Sequence, residues 1–231
     1  MLQLATFDFL IQLRINNNKE WFDQNRKLYD TAKADVLQLL TTLLTGLEQI
    51  DPAIASSQLS VKSCIFRINR DIRFSTDKTP YKTNFGAWFN LGGKKSPSAG
   101  YYLNIESNGS FIAGGMYMPD SKVLATIRQE IDYNLASFKE MLSAPSFDAY
   151  FEDLSRAEVL VRPPKGYQAD NPAIEYLKLK SFTASHPLPD GLLTSPELAE
   201  TVLKAFAGLQ PLVAFLNRAL GDEGSPTLPS S

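Results

Sequence analysis

The chain has one cysteine in 231 residues, Cys64. No disulfide can close within it, which suits a reducing compartment. It has one histidine, His186. A zinc site built from paired cysteines and histidines therefore lacks its donors. No nucleophile-elbow sequence or phosphate-binding glycine loop is present either. Surplus charge is small: the formal net charge is −2. No global field draws the protein to nucleic acid or an acidic membrane. Long apolar runs are missing. Even the stretch 36–50 is broken by Gln38, Thr41, Thr42, Thr45, Gly46, Glu48 and Gln49, so no span of membrane length is expected. The N-terminus lacks a charged segment followed by an apolar one, so no secretory signal is expected. Together these absences predict a soluble, cytoplasmic protein without a membrane partner.

The length predicts one large domain over 1–221, followed by a flexible tail over 222–231. The apolar fraction is 44%, enough for a sizeable core. Charge is spread unevenly. The stretch 62–95 holds eight Lys or Arg against two Asp, so it carries about +6 and the remainder about −8.

A short helix is expected around Phe7, Phe9, Leu10 and Leu13. Asn17 and Glu20 have the spacing of a capping box for a long helix that ends at Pro52. Tyr29, Ala32, Val36, Leu39, Leu40, Leu43 and Leu47 recur along it at helical spacing. The stretch 59–68 reads as a strand, with Cys64, Phe66 and Ile68 on one face. A second strand is expected over 85–91. Strands over 101–107 and 110–118 flank Asn108-Gly109, the preferred two-residue hairpin turn. That turn sets Ile105 opposite Ile112, Leu103 opposite Gly114, and Gly115 opposite Tyr102. Glycine within a strand marks close approach by a ligand or another backbone. Asp120 or Ser121 caps a further helix bearing Arg128, and short helices follow. A last strand is expected over 179–185, leaving His186 on a loop. Gly208 and Pro211 are expected to split the final helix. The fold class is α+β: a largely antiparallel sheet built from hairpins, packed against several helices including one long N-terminal helix.

The densest chemistry lies at 66–82, FRINRDIRFSTDKTPYK. It reads as the end of a buried strand turning into an ordered cationic loop. Arg67, Arg70, Arg73, Lys78 and Lys82 crowd there, and Asp71 and Asp77 neutralise only part of them. Arginine offers a planar fork to carboxylate or phosphate, and lysine adds a point charge. Arg128 and Lys180 would enlarge such an anion site from neighbouring elements. Asp71, Asp77 and Tyr81 are the acid–base candidates, and the two aspartates with Glu106 are the one set of oxygen donors for Mg²⁺. The plainer alternative pairs each Asp with an adjacent Arg. Lys94 and Lys95, in a Gly-rich loop, read as solubilising charge more readily than as a flap. Cys64 reads as core.

The segment FRINRDIRFSTDKTPYKTNFGAWF resembles the signature of an uncharacterised family, domain of unknown function 2461. NNNKEWFDQNR at 16–26, AGYYLNIE at 99–106, AGGMYMP at 113–119 and PPKGYQADNPAIEYLKLKSF at 163–182 are similar to it as well, so the resemblance spans almost the whole chain. Asn69 departs from the aromatic residue expected there. The resemblance implies a widespread soluble domain, mostly of bacteria, and implies no activity or cofactor.

The functional expectation is an anion site for a phosphorylated small molecule or nucleotide. Two alternatives stand beside it. One is a non-catalytic module gripping nucleic acid or an acidic protein, with Tyr81, Phe85 and Trp88 stacking on bases. The other is a purely structural ion-pair motif.

Overall fold

The computed structural model describes residues 1–94 and 96–221; the tail expected over 222–231 and Lys95 lie outside them. Helix α1 (Leu4–Ile15) leads to α2 (Lys19–Gln24) and α3 (Arg26–Ile50). The cap of α2 is Asn18, whose side chain accepts from the Trp21 amide at 2.9 Å. Asn17, the expected cap, is used elsewhere. The long helix is interrupted at Asn25, whose side-chain amide donates to the Trp21 carbonyl at 2.8 Å. A side chain that competes for a helical carbonyl in this way favours a break.

The apolar stripe of α3 is as expected: Tyr29, Ala32, Val36, Leu39, Leu40, Leu43 and Leu47 are all buried. Asp51 ends it, accepting from the Ala53 amide at 3.0 Å to start α4 (Pro52–Ser56). The same carboxylate accepts from the Tyr101 hydroxyl at 2.7 Å, deep in the protein. Burial foremost holds the Tyr101 phenol far above its ordinary pKa, so it stays a donor.

The stretch 59–68 is not a strand. Its first part is the helical turn α5 (Val61–Cys64), beginning at Ser60. Its second part is extended and hitched to β1 (Phe85–Asn90) through a bridge between Ile65 and Ala87. The Ser60 carbonyl, accepting from the Ser63 amide, closes the turn that a period-two reading overlooks.

Strands β2 (Gly100–Ile105) and β3 (Phe111–Met116) follow, and the four-stranded antiparallel sheet runs β1-β2-β3-β4, with β4 at Phe182–Pro187. The β2–β3 register differs from expectation by two residues, with Leu103 opposite Ile112 and Tyr101 opposite Gly114. The turn is longer than two residues: the Gly109 amide donates to the Glu106 carbonyl, and Asn108 takes φ +57°. A slip of two preserves which side chains share a face, so the expected apolar face survives. Gly115 stands opposite Gly100, not Tyr102. Its φ is +116°, and a Cβ there would lie 2.0 Å from the Phe182 carbonyl oxygen. The close neighbour is the backbone of β4.

Beyond the sheet come α6 (Ser121–Tyr133), α7 (Leu135–Leu142), α8 (Pro145–Asp148) and α9 (Ile174–Leu177). Asp120 caps α6, accepting from Lys122 and Val123. β4 starts later than expected and includes His186, which lies edge-on to Tyr150 and Phe151. After α10 (Asp190–Leu193), helix α11 (Leu198–Ala219) runs unbroken through Gly208 and Pro211. Proline removes one helical donor, but buried residues on both sides hold the helix to the core: Val202, Phe206 and Leu209 before it, Leu212, Val213 and Leu216 after. Each such side chain contributes about 1.5–3 kcal/mol on burial. The unbroken helix is also long and apolar enough to cross a membrane by length and composition, contrary to expectation, and half of that window is buried inside the protein.

Helices α3 and α11 pack together, with α11 lying on β2 and β3. The core therefore sits on one side of the sheet. The fold class is α+β as the sequence predicts. Gly115→Ala should lower the free energy of unfolding by at least about 2 kcal/mol in denaturant titrations, because both φ and the Phe182 carbonyl oppose a Cβ.

Candidate functional site

The cationic loop is closed at its base by backbone pairing. The Arg70 amide donates to the Pro80 carbonyl at 2.9 Å, and the Lys82 amide to the Ile68 carbonyl at 2.8 Å. Asn17 locks this base to the helices. Its side-chain nitrogen donates to the Tyr81 carbonyl at 2.9 Å, and its side-chain oxygen accepts from the Tyr81 amide at 3.0 Å. Tyr81 is buried, its ring stacked on Phe22 at 4.0 Å. That is an anchor's position, and Phe85 is buried likewise.

Within the loop the charges sort themselves. Arg73 grips Asp71 through two bonds, at 2.9 and 2.6 Å. Arg70 pairs with Asp77 and donates to the Thr79 hydroxyl at 2.7 Å. Lys78 donates to the Ile72 carbonyl at 3.0 Å. The pairing is local to the loop. Bonds from the backbone and hydroxyl of Thr79, then Arg70, hold Asp77 down to about 2. Bonds from Arg73 lower Asp71. Glu106 accepts from the Thr83 hydroxyl at 2.7 Å. Among the described residues no three Asp, Glu, His or Cys side chains gather to hold a metal ion. Burial pushes the Cys64 thiol up to about 11, which makes it an inert core residue.

Arg67 and Lys82 are left over. Neither makes an ion pair among the described residues, and Arg67 is exposed. Lys82 is half-buried with its Nζ 5.2 Å from the centre of the Phe66 ring. On the same ring, 5.3 Å from its centre, lies Lys94 Nζ, which also donates to the Ile65 carbonyl. Burial first, then the charges of Arg67 and Lys94, pushes the Lys82 pKa below its ordinary value. Two ammonium groups thus share one aromatic ring, with the charge of Arg67 close enough to act on Lys82; Arg67 itself also acts on the Asp71 carboxylate.

The surface beside them is aromatic. Phe66 meets Tyr102 edge-on at 6.3 Å, and Tyr102 in turn neighbours Trp88 at 6.5 Å and Phe111 at 5.6 Å. All four rings are only partly covered. Tyr102, Trp88 and Phe111 belong to the sheet face opposite the one that α11 covers.

Arg128 and Lys180 do not join this site. Lys180 pairs with Glu158 at 3.1 Å and lies just before β4, at the far edge of the sheet from β1. Three inter-strand steps of about 4.8 Å separate those edges. Arg128, on the buried side of α6, donates to the Leu179 carbonyl at 3.1 Å. Lys94 and Asn17 were not among the sequence candidates. The Gly92-Gly93 pair, with φ of +79° and +77°, is the signal for a turn that folds Lys94 back. The Asn16–Asn18 run held the signal for Asn17.

Replacing Asn17 with Ala strands the two buried backbone groups of Tyr81, so equilibrium unfolding should show a loss of about 1–3 kcal/mol. Asp77 has a folded pKa near 2 against an ordinary 3.8. What its pairing gives the loop is present above about pH 4 and lost as pH falls towards 2. An NMR carboxylate titration should place its midpoint near 2, and Thr79→Ala should raise it.

A family model described as conserved hypothetical protein (DUF2461) matches residues 5–215. No curated protein and no solved structure matches the chain. With nearly the whole described chain inside that match, the protein belongs to the DUF2461 family of conserved hypothetical proteins.

Proposed function

We propose that the protein binds a phosphorylated small molecule or nucleotide, with its phosphate held by Arg67, Lys82 and Lys94 and its apolar or ring portion against Phe66 and Tyr102. The observation that carries this reading is Lys82: an ammonium half-withdrawn from water, set beside two further cations and no carboxylate. Such a group destabilises the empty protein and is relieved by an anion. Phosphate offers three acceptor oxygens to three donors, and charge-assisted bonds of this kind are the strong ones.

The reading is of binding, not of turnover. Asp71 is held as an anion by Arg73, and Asp77 by Thr79 and then Arg70; a carboxylate near pKa 2, as at Asp77, is a weak base at neutral pH. A second reading, single-stranded nucleic acid, is favoured by the row of Trp88, Tyr102 and Phe111 across the open sheet face. Chain-length dependence and steep salt dependence separate it from a small ligand.

Calorimetry and thermal shift with inorganic phosphate, nucleoside monophosphates, sugar phosphates and short oligonucleotides test both. Lys82→Met should raise the melting temperature of the ligand-free protein and weaken phosphate-compound binding about tenfold or more, the worth of about 1.4 kcal/mol. The pH behaviour has a defined sign. With its folded pKa below 10.5, Lys82 leaves the unfolded state with more bound protons, so ligand-free stability rises with pH through that window. Affinity for phosphate falls over the same window, as Lys82 loses its charge. Binding unchanged in Lys82→Met, or no phosphate compound bound at all, refutes the proposal.

A further inference from the structure

A buried cation in a different part of the molecule also makes no ion pair among the described residues. Arg128 is 9% exposed. Its Nη2 donates to the Leu179 carbonyl at 3.1 Å, and this is its one hydrogen bond among the described residues. Its Nε is buried and has no partner. No carboxylate lies within ion-pair distance, although Asp132 sits one helical turn on. The Asp132 carboxylate instead accepts from the Asn171 side-chain amide at 2.7 Å. Burial lowers the Arg128 pKa. A buried guanidinium without a counter-charge is among the costlier arrangements a protein can keep.

Arg128 lines a cleft between α6 and the loop 163–167, PPKGY, with a volume of about 710 Å³. That is the size of a small-molecule site. Lys165 and Tyr167 line the same cleft, and so does Asp132, whose carboxylate is engaged by Asn171. Gly166, at φ +94°, has nothing within 4 Å of a Cβ built on it, so the loop leaves room at this point. Burial raises the Tyr167 pKa, so its hydroxyl keeps its proton and can donate.

We propose that this cleft is a binding site for the carboxylate or phosphate group of a small molecule, which the Arg128 guanidinium receives where it lines the cleft, with Lys165 and Tyr167 beside it. Guanidinium is the side chain best matched to a planar or tetrahedral oxyanion. The site stands apart from Lys82: Arg128 belongs to the helices, at the β4 side of the sheet.

The test uses the full chain carrying Lys82→Met, so that the other site is weakened. Inorganic phosphate and acetate are titrated at constant ionic strength against chloride, following the Arg128 side-chain Nε–H signal by NMR and the melting temperature by thermal shift. The expected result is a saturable change with phosphate, acetate or both, absent with chloride. Lys165→Ala should weaken it severalfold, and Arg128→Gln should abolish the thermal response. Arg128→Gln places its amide where Nε stands, short of the Leu179 carbonyl, so its melting temperature without anion is measured first. The proposal is overturned if neither oxyanion saturates. It is overturned equally if the response persists in Arg128→Gln. Should Arg128→Gln fail to fold, the Nε–H titration and Lys165→Ala decide alone.

Discussion

The packing of α11 against one face of the sheet is the constraint on which the rest depends. Ten residues of that helix are buried, and Gly114 lets it approach β3 closely, with Leu209 2.8 Å from where a Cβ would stand. A sheet needs only one covered face to be stable. With the inner face committed, the outer face of β1–β3 is free to carry Trp88, Tyr102 and Phe111 partly bare. In a protein whose core is satisfied elsewhere, partly bare aromatic rings are surface available to a ligand.

Charge is handled by the same economy of position. Arg70 and Arg73 stand where water reaches them, and each is matched to an aspartate of its own loop. Such pairs are cheap to form and give little stability; what they do here is fix the loop's shape. Lys82 and Arg128 stand deeper and have no such partner. Exposure and pairing therefore run in the opposite sense from what stability alone favours. The deeper a cation lies, the greater its need for an anion. Where the chain leaves that need unmet, we propose an external anion as the complement.

The sequence reading and the structure part where tertiary contacts decide. The α3 stripe and the inward face of the β2–β3 hairpin were legible because periodicity alone determines them. The hairpin register was not. Asn108-Gly109 has the sequence of a two-residue turn, but the Ser110 hydroxyl bonds both the amide and the carbonyl of Glu106 and lengthens the connection. Pro211 reads as a break because local propensity says so, while the buried residues on either side overrule it. Asn17 and Glu20 have the spacing of a cap, yet the amide of Asn17 is spent on Tyr81, 64 residues away. The charged stretch 62–95 was plain in the sequence. Which of its cations remain unmatched was not, because Asp71 and Asp77 choose among several neighbours and Lys94 arrives from another loop.

Lys82 and Arg128 also differ in what surrounds them, and this bears on whether one ligand could join both. Lys82 and Lys94 flank Phe66 beside β1, on the side of the aromatic row. Arg128 projects from α6, a helix packed with α7, α9 and α11 in the helical layer. Crossing the sheet from β1 to β4 takes about 14 Å at the ordinary strand spacing, and the helical layer lies on the other face. A compact ligand held at one place has no path to the other. Substitutions at the two should therefore act independently, since sites this far apart with no shared partners add. A coupling between them would require α11, which touches both the sheet and α6, to have two packed arrangements rather than one.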